Sequence, residues 1–302
     1  MRFSFWIPNS LPWSETLDLG RRAEELGYDG LWYADHFMPN EPEPADGPVH
    51  EAFTILAALA ASVPRVRIGP LVAGNTYRNP AVLAKICSAI DHVSGGRMVV
   101  GLGAGWQENE HRAYGLEFNS FSWRFDRLEE ACEILRGLFG QQRTDFSGRH
   151  YTMVSAPLDP KPVQAAIPLL VGGGGPRRTL PIVARFADEW NVWGEPDLLA
   201  EKGALLDRCC EDAGRDPAEV DHSAVALVFL TDDQPTIDKL RGRDLGRPRL
   251  IGTPSEMQEM VGAYAQAGVD EFIVPAFNFR SAGEREETMV RFVEEVAAPF
   301  RD

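Results

Sequence analysis

Short apolar runs alternate with longer stretches of helical periodicity along almost the whole chain. The first run, "RFSFWI" at 2–7, reads as a strand. A helix is expected from about Ser14, with Ser14 as N-cap, Glu15 and Asp18 in its first turn and Gly27 at its end. "GLWYA" (30–34) is a second strand, followed by a helix over about 50–63. "VRIGPLVAG" (66–74) is strand three, and Asn79–Pro80 opens the next helix, asparagine as N-cap and proline at the first helical position. "RMVVGLGAG" (97–105) is strand four, with a long helix over about 121–139. "TDFSGRHYTM" (144–153) then predicts a hairpin around Ser147–Gly148. "PLLVGGGG" (168–175) is strand five and its loop, with Pro176 starting a helix. "DEWNVW" (188–193) is strand six, with a helix over about 196–213, and "HSAVALVFL" (222–230) is strand seven. After a polar, arginine-rich stretch at 231–250, Thr253–Pro254 caps a helix to about Ala267. "DEFIVPAF" (270–277) is strand eight, and a last helix covers about 284–298.

Eight strand–helix units in strict alternation imply a parallel sheet covered by helices, an α/β chain. Eight such units close into a (β/α)8 TIM barrel, here with insertions after strands two, four and seven. The rival, a doubly wound open sheet, would want a Gly-x-Gly-x-x-Gly turn after the first strand, and "WIPNSLPWS" has none. With no internal repeat, low-complexity tract or flexible linker, a single domain is expected over residues 1–302.

Composition narrows the function. A formal net charge of −15 argues against nucleic acid and against an anionic membrane surface. An anionic cofactor would have to be met by local donors. No apolar run reaches the roughly 18 residues of a membrane-spanning helix, and "MRFSFWIPNS" carries no signal-like cleavage region, so a cytoplasmic protein is expected. Cys87, Cys132, Cys209 and Cys210 form no Cys-x-x-Cys pair and read as free thiols, the first two in the core.

In such a barrel the working face lies at the C-terminal ends of the strands. Strand two delivers Asp35 and His36 there; strand three Asn75, Thr76 and Arg78; strand four Trp106, Asn109 and Glu110; strand five Gly172, Gly173, Gly174 and Gly175; strand six Asn191 and Trp193; strand eight Phe277, Asn278 and Arg280. This lining of glycine, amide and aromatic residues suits a flat, partly polar ring carrying a phosphate. Four consecutive glycines before a helix leave outward-pointing amides as an anion cradle, with Arg177 and Arg178 beside it; the plainer alternative is a tight turn. Glycines at 101, 103 and 105 either leave room in the barrel or let a flat ligand reach the backbone. His36 is either a satisfied strand-end residue, with Asp35 capping the following loop, or, in such a pocket, a group for proton transfer or hydrogen bonding. Metal binding and a Ser-His-Asp hydrolase find no pattern here. The stretch "KLRGRDLGRPR" is a solvated loop or a lid over the mouth.

"ADHF", "GNTYRNPAVLAK", "DHVSGGRMVVGLGAGWQENEHRAYG", "GRHY", "KPVQ", "LLVGGGGPRRTL" and "ARFADEWNVW" together resemble the luciferase-like monooxygenase superfamily, most of all its branch using the deazaflavin coenzyme F-420. The resemblance runs from strand one to strand eight. It implies the barrel, an oxidoreductase exchanging hydride between coenzyme F-420 and an organic small-molecule substrate, and a homodimer. The alternatives are a reduced-FMN-dependent monooxygenase, with FMN as cofactor, or a non-catalytic flavin-binding protein. By the same resemblance His36 is the proton donor or acceptor and Asp35 its neighbour. Val72 and Ala73 fall where such enzymes have a bulge with a non-prolyl cis peptide against which the ring rests. Asn109 matches a polar contact to the cofactor, Gly172 to Gly175 the phosphate loop, and Asn75 and Asn191 join the cofactor set. Sugar-phosphate dehydrogenases of the superfamily carry a glutamate where Trp106 stands, which points to a bulkier, less charged substrate with Trp106 at the reaction centre. Glu108 and Glu110 lie close by, with no pattern assigning either the missing role.

Overall fold

The computed structural model describes residues 1–40 and 46–301. Its main sheet is parallel throughout and contains nine hydrogen-bonded segments. The segments at its two ends, Arg67–Pro70 and Ala73–Gly74, are consecutive pieces of strand three. An Ile68–Met98 bridge links the first piece to the start of strand four, so the sheet closes into an eight-stranded barrel. The other barrel strands are Arg2–Ile7, Gly30–Tyr33, Val100–Gly103, Leu169–Gly172, Glu189–Trp193, Asp221–Val225 and Glu271–Pro275.

Alternation along each strand sorts its residues into two cores. Phe3, Phe5, Trp190 and Phe272 face outward and pack under the helices. Trp32, Leu71, Val99, Leu170, Val225 and Ile273 fill the barrel, capped by Trp6, Val72 and Trp193. The bottom layer is ionic. Arg67 donates to Glu271 at 3.0 Å and pairs with Glu189, while Arg2 Nε lies 3.5 Å from Glu271. The Trp32 indole N–H donates to Glu271 at 2.9 Å. Burial is affordable for these carboxylates only because each has a cationic partner; it still pushes Glu189 upward.

Most helices form where periodicity placed them, with predicted caps. Asn79 caps Pro80–Ser94, and Thr253 with Glu256 forms a reciprocal capping box on Pro254–Gln266. The first helix begins one residue early, at Trp13, so Ser14 lies inside its first turn and Pro12 holds the cap position without a side-chain bond. The predicted hairpin is present, Arg143–Ser147 against Thr152–Pro157. Strand seven is shorter than its apolar run. The chain leaves the barrel after Val225, and Leu227–Leu230 pairs with Arg249–Gly252 in a separate two-stranded sheet. The arginine-rich stretch is therefore partly ordered structure, containing the helix Gln234–Arg241. All four cysteines are free; burial pushes the Cys132 thiol up to about 12. Among the described residues no helix is long and apolar enough to cross a membrane.

Candidate active site

Strand two is buried throughout, and the chain emerging from it carries Asp35 at 2% exposure. The Arg78 guanidinium grips both Asp35 oxygens, at 2.7 and 3.0 Å, and the Gly74 amide donates to Oδ2 at 3.1 Å. Arg78 also donates to Glu51 at 2.5 Å and stacks on Phe53. Asp35 thus ties the exits of strands two and three together, and the bond to its neighbour's imidazole comes from elsewhere.

That partner is Glu110. His36 Nδ1 lies 2.8 Å from Glu110 Oε1, the Phe37 amide donates to Oε2 at 2.8 Å, and the Tyr77 hydroxyl donates to Oε1. Glu110 is fully buried, and burial pushes its carboxyl up. Its donors, His36 foremost, outweigh that and hold it below its ordinary 4.5. An ionised Glu110 fixes the hydrogen of neutral His36 on Nδ1, which leaves Nε2 with a lone pair. Glu110 sits on a short helix, Glu108–Tyr114, absent from the periodicity reading. The adjacent His111 pins that helix, with Nδ1 2.6 Å from the Gln107 carbonyl and Nε2 2.6 Å from the Thr76 hydroxyl. Trp106, 58% exposed, stands edge-on to His36 with ring centres 5.5 Å apart.

Strand three breaks where the bulge was expected, with the cis bond one residue earlier, between Leu71 and Val72. Val72 spreads over the ends of strands four and five. Cβ atoms at Gly103 and Gly172 would fall 2.8 and 3.0 Å from its methyls. Gly103 therefore makes room for a side chain, while a Cβ at Gly101 would collide with the Pro70 carbonyl oxygen. Ala73 is buried and pairs with Leu102. Two residues on, Asn75 is 2% exposed, and neither atom of its amide has a hydrogen-bond partner, although the Tyr151 hydroxyl lies close enough to feel it. An orphaned buried amide costs about 1–3 kcal/mol and is what a polar ligand would satisfy.

The glycine loop differs from expectation in one respect: the helix behind it starts at Thr179 rather than Pro176. The chain turns back through Gly173 at φ +119°, and that amide donates internally to the Asn191 carbonyl. The amides of Gly174 and Gly175 have no acceptor among the described residues. Lys202, one charge on an amphipathic helix in the sequence, brings its ammonium to the Gly174 carbonyl at 2.6 Å. Arg178 turns away to Asp126, while Arg177 stays exposed.

Two residues expected at the cofactor also make contacts within the protein. The Asn109 amide donates to the Pro39 and Asn40 carbonyls, both at 3.1 Å, and so clamps the loop after strand two. Residues 41–45 of that loop lie outside the described residues. Asn191 sits one layer below the mouth and donates to the Ser223 hydroxyl at 2.9 Å. Conversely, Trp6, on an inward position of strand one, reaches the mouth although the apolar run gave no reason to single it out.

The fold and this mouth define a (β/α)8-barrel protein with a buried carboxylate–imidazole pair beside a bulged third strand. The chain belongs to the luciferase-like monooxygenase family, whose model matches residues 1–240. An F-420-dependent glucose-6-phosphate dehydrogenase of Amycolatopsis mediterranei is 36% identical over 167 residues, 55% of this chain and 48% of that protein. Its namesake from Microbacterium testaceum is 32% identical over 233 residues, 76% of this chain and 68% of that protein. The aligned part of the chain thus spans half to two thirds of the length of these relatives. Among solved structures, an F-420-dependent secondary alcohol dehydrogenase in complex with an F-420–acetone adduct superposes with a TM-score of 0.86 at 21% identity, covering 100% of this chain and 99% of that one.

Proposed function

We propose that the protein is an oxidoreductase that binds coenzyme F-420 at the barrel mouth and exchanges hydride with a small organic substrate. The observation that carries this is the His36–Glu110 pair, 2.8 Å apart, beside an unsatisfied buried Asn75 and the Val72 bulge. The chain's F-420-dependent relatives support the same reading. The residues present fit a flat phosphorylated ring. Val72 offers a surface for it, Asn75 an unpaired amide for its polar edge, and Gly174, Gly175 and Lys202 free amides and a cation for its phosphate. When bound, the deazaflavin supplies the two-electron hydride carrier. His36 Nε2 takes the substrate's hydroxyl proton in oxidation, or returns it in reduction, while Glu110 balances the imidazolium charge.

Titration with F-420 and, separately, with FMN tests the reading. Saturable binding of F-420 tighter than that of FMN is expected; binding of FMN alone would replace it with the monooxygenase alternative. The resemblance expects a glutamate of sugar-phosphate dehydrogenases where this chain has Trp106, which speaks against a sugar-phosphate substrate. We place the enzyme in the cytoplasm as a homodimer. Val82 and Val93, 55% and 51% exposed, share one face of helix Pro80–Ser94 and suit a subunit contact. Sedimentation of a monomer at micromolar concentration would remove the dimer.

A further inference from the structure

Three aromatic rings meet across the mouth from Val72, and nothing in the chemistry above uses them. Trp6 ends the inward row of strand one, Trp193 that of strand six, and Phe277 follows strand eight. Trp6 and Phe277 pack edge to face with centres 5.3 Å apart; Trp6–Trp193 and Trp193–Phe277 are 6.0 and 6.1 Å apart. The arginine-rich stretch contributes Arg247, whose guanidinium lies 4.6 Å from the Trp193 ring centre and stiffens the wall. Trp6, Trp193 and Val72 all pack against the same interior cluster.

The order of strands around the barrel separates two halves of the mouth. Strands two to five carry His36, Val72, Asn75 and the glycine loop. Strands six, eight and one carry the aromatic wall, with Phe277 half exposed although it is a large apolar ring. An exposed ring set against two further aromatic rings favours a ligand that covers it. Near this wall Arg280 is paired with Glu284, and Arg247 lays its guanidinium against the Trp193 face.

We infer that Trp6, Trp193 and Phe277 form the substrate subsite, and that it takes an uncharged alcohol or carbonyl compound bearing an apolar ring. The inference rests on the proposed cofactor position, since the wall faces the ring's resting place. The rings contact substrate and set specificity; proton transfer stays with His36.

Saturation-transfer NMR with acetophenone as probe tests this, on the F-420-loaded protein and on the protein alone. Glucose 6-phosphate is the charged control. Acetophenone is expected to bind, with Kd raised at least fivefold by Phe277→Ala and by Trp193→Ala, while F-420 affinity stays within twofold. Glucose 6-phosphate is expected not to compete. Absence of acetophenone binding, equal Kd in wild type and in the folded Phe277→Ala protein, or tighter binding of glucose 6-phosphate would overturn the subsite. Phe277 is half exposed, so its truncation leaves a folded protein even if Trp193→Ala does not. Failure of wild type to bind F-420 strikes the cofactor reading instead, and the acetophenone result on the protein alone then decides the wall.

Discussion

At the scale of single residues the decisive fact is which groups hold His36. Its hydrogen-bond partner is Glu110, 74 positions away, and not the adjacent Asp35. His36→Ala should lower kcat by about 10²–10⁴-fold, the usual worth of a positioned acid–base group, and leave F-420 affinity nearly unchanged by fluorescence titration. Glu110→Gln should also depress kcat, because a carboxamide no longer fixes the imidazole tautomer. It should change acid stability as well. The folded-state value of Glu110 lies below its ordinary 4.5, so the unfolded chain binds the extra proton between the two values. The carboxylate's contribution is therefore complete above pH 4.5 and is lost as pH falls through the lower folded-state value. Denaturant midpoints taken from pH 6 down to 3 should show wild type losing stability over that window. Glu110→Gln should start less stable and lack that part of the slope. Asp35 and His36 were legible in sequence as strand-end residues. Glu110 could be read only as one acid among several, because nothing local reveals that the Glu108–Tyr114 helix turns it inward.

Among the elements, the glycine loop was the clearest signal, and its chemistry divides unevenly. Gly173 supplies the positive φ of the turn, so any side chain there strains the backbone. Gly174 is a cleaner probe: an added Cβ would meet the flexible Lys202 stem and a Val192 methyl at 3.1 Å. Gly174→Ala should therefore cost little in thermal midpoint yet weaken F-420 binding by about an order of magnitude, as the cradle narrows and Lys202 shifts. Equal losses of stability and affinity would count against the cradle. Helix positions and caps were largely legible, since periodicity and Asn-Pro or Thr-Pro starts are local. The departures lie where tertiary pairing overrides an apolar run, as when Leu227–Leu230 abandons the barrel for Arg249–Gly252.

For the molecule as a whole, the ion cluster at the closed end bears on stability. Glu189 and Glu271 are almost wholly buried and share Arg67. Arg67→Met should destabilise the barrel by about 3–5 kcal/mol, the cost of stranding a buried charge, measured by urea unfolding, without changing the reaction at the opposite face. Barrel architecture separates these tasks, with the N-terminal strand ends holding the fold together and the C-terminal ends carrying the chemistry.

The order of its hydrophobic runs by itself determined that this chain is an eightfold βα barrel, because strand and helix periods are short-range properties. It also determined which loops gather at one end. Tertiary structure alone decided that Glu110 orients His36, that Asn109 bonds the loop after strand two and Asn191 bonds Ser223, that Lys202 reaches the glycine loop, and that Trp6 joins Trp193 and Phe277. Those pairings join residues tens to hundreds of positions apart, and their geometry exists only once barrel closure has brought the strand ends together.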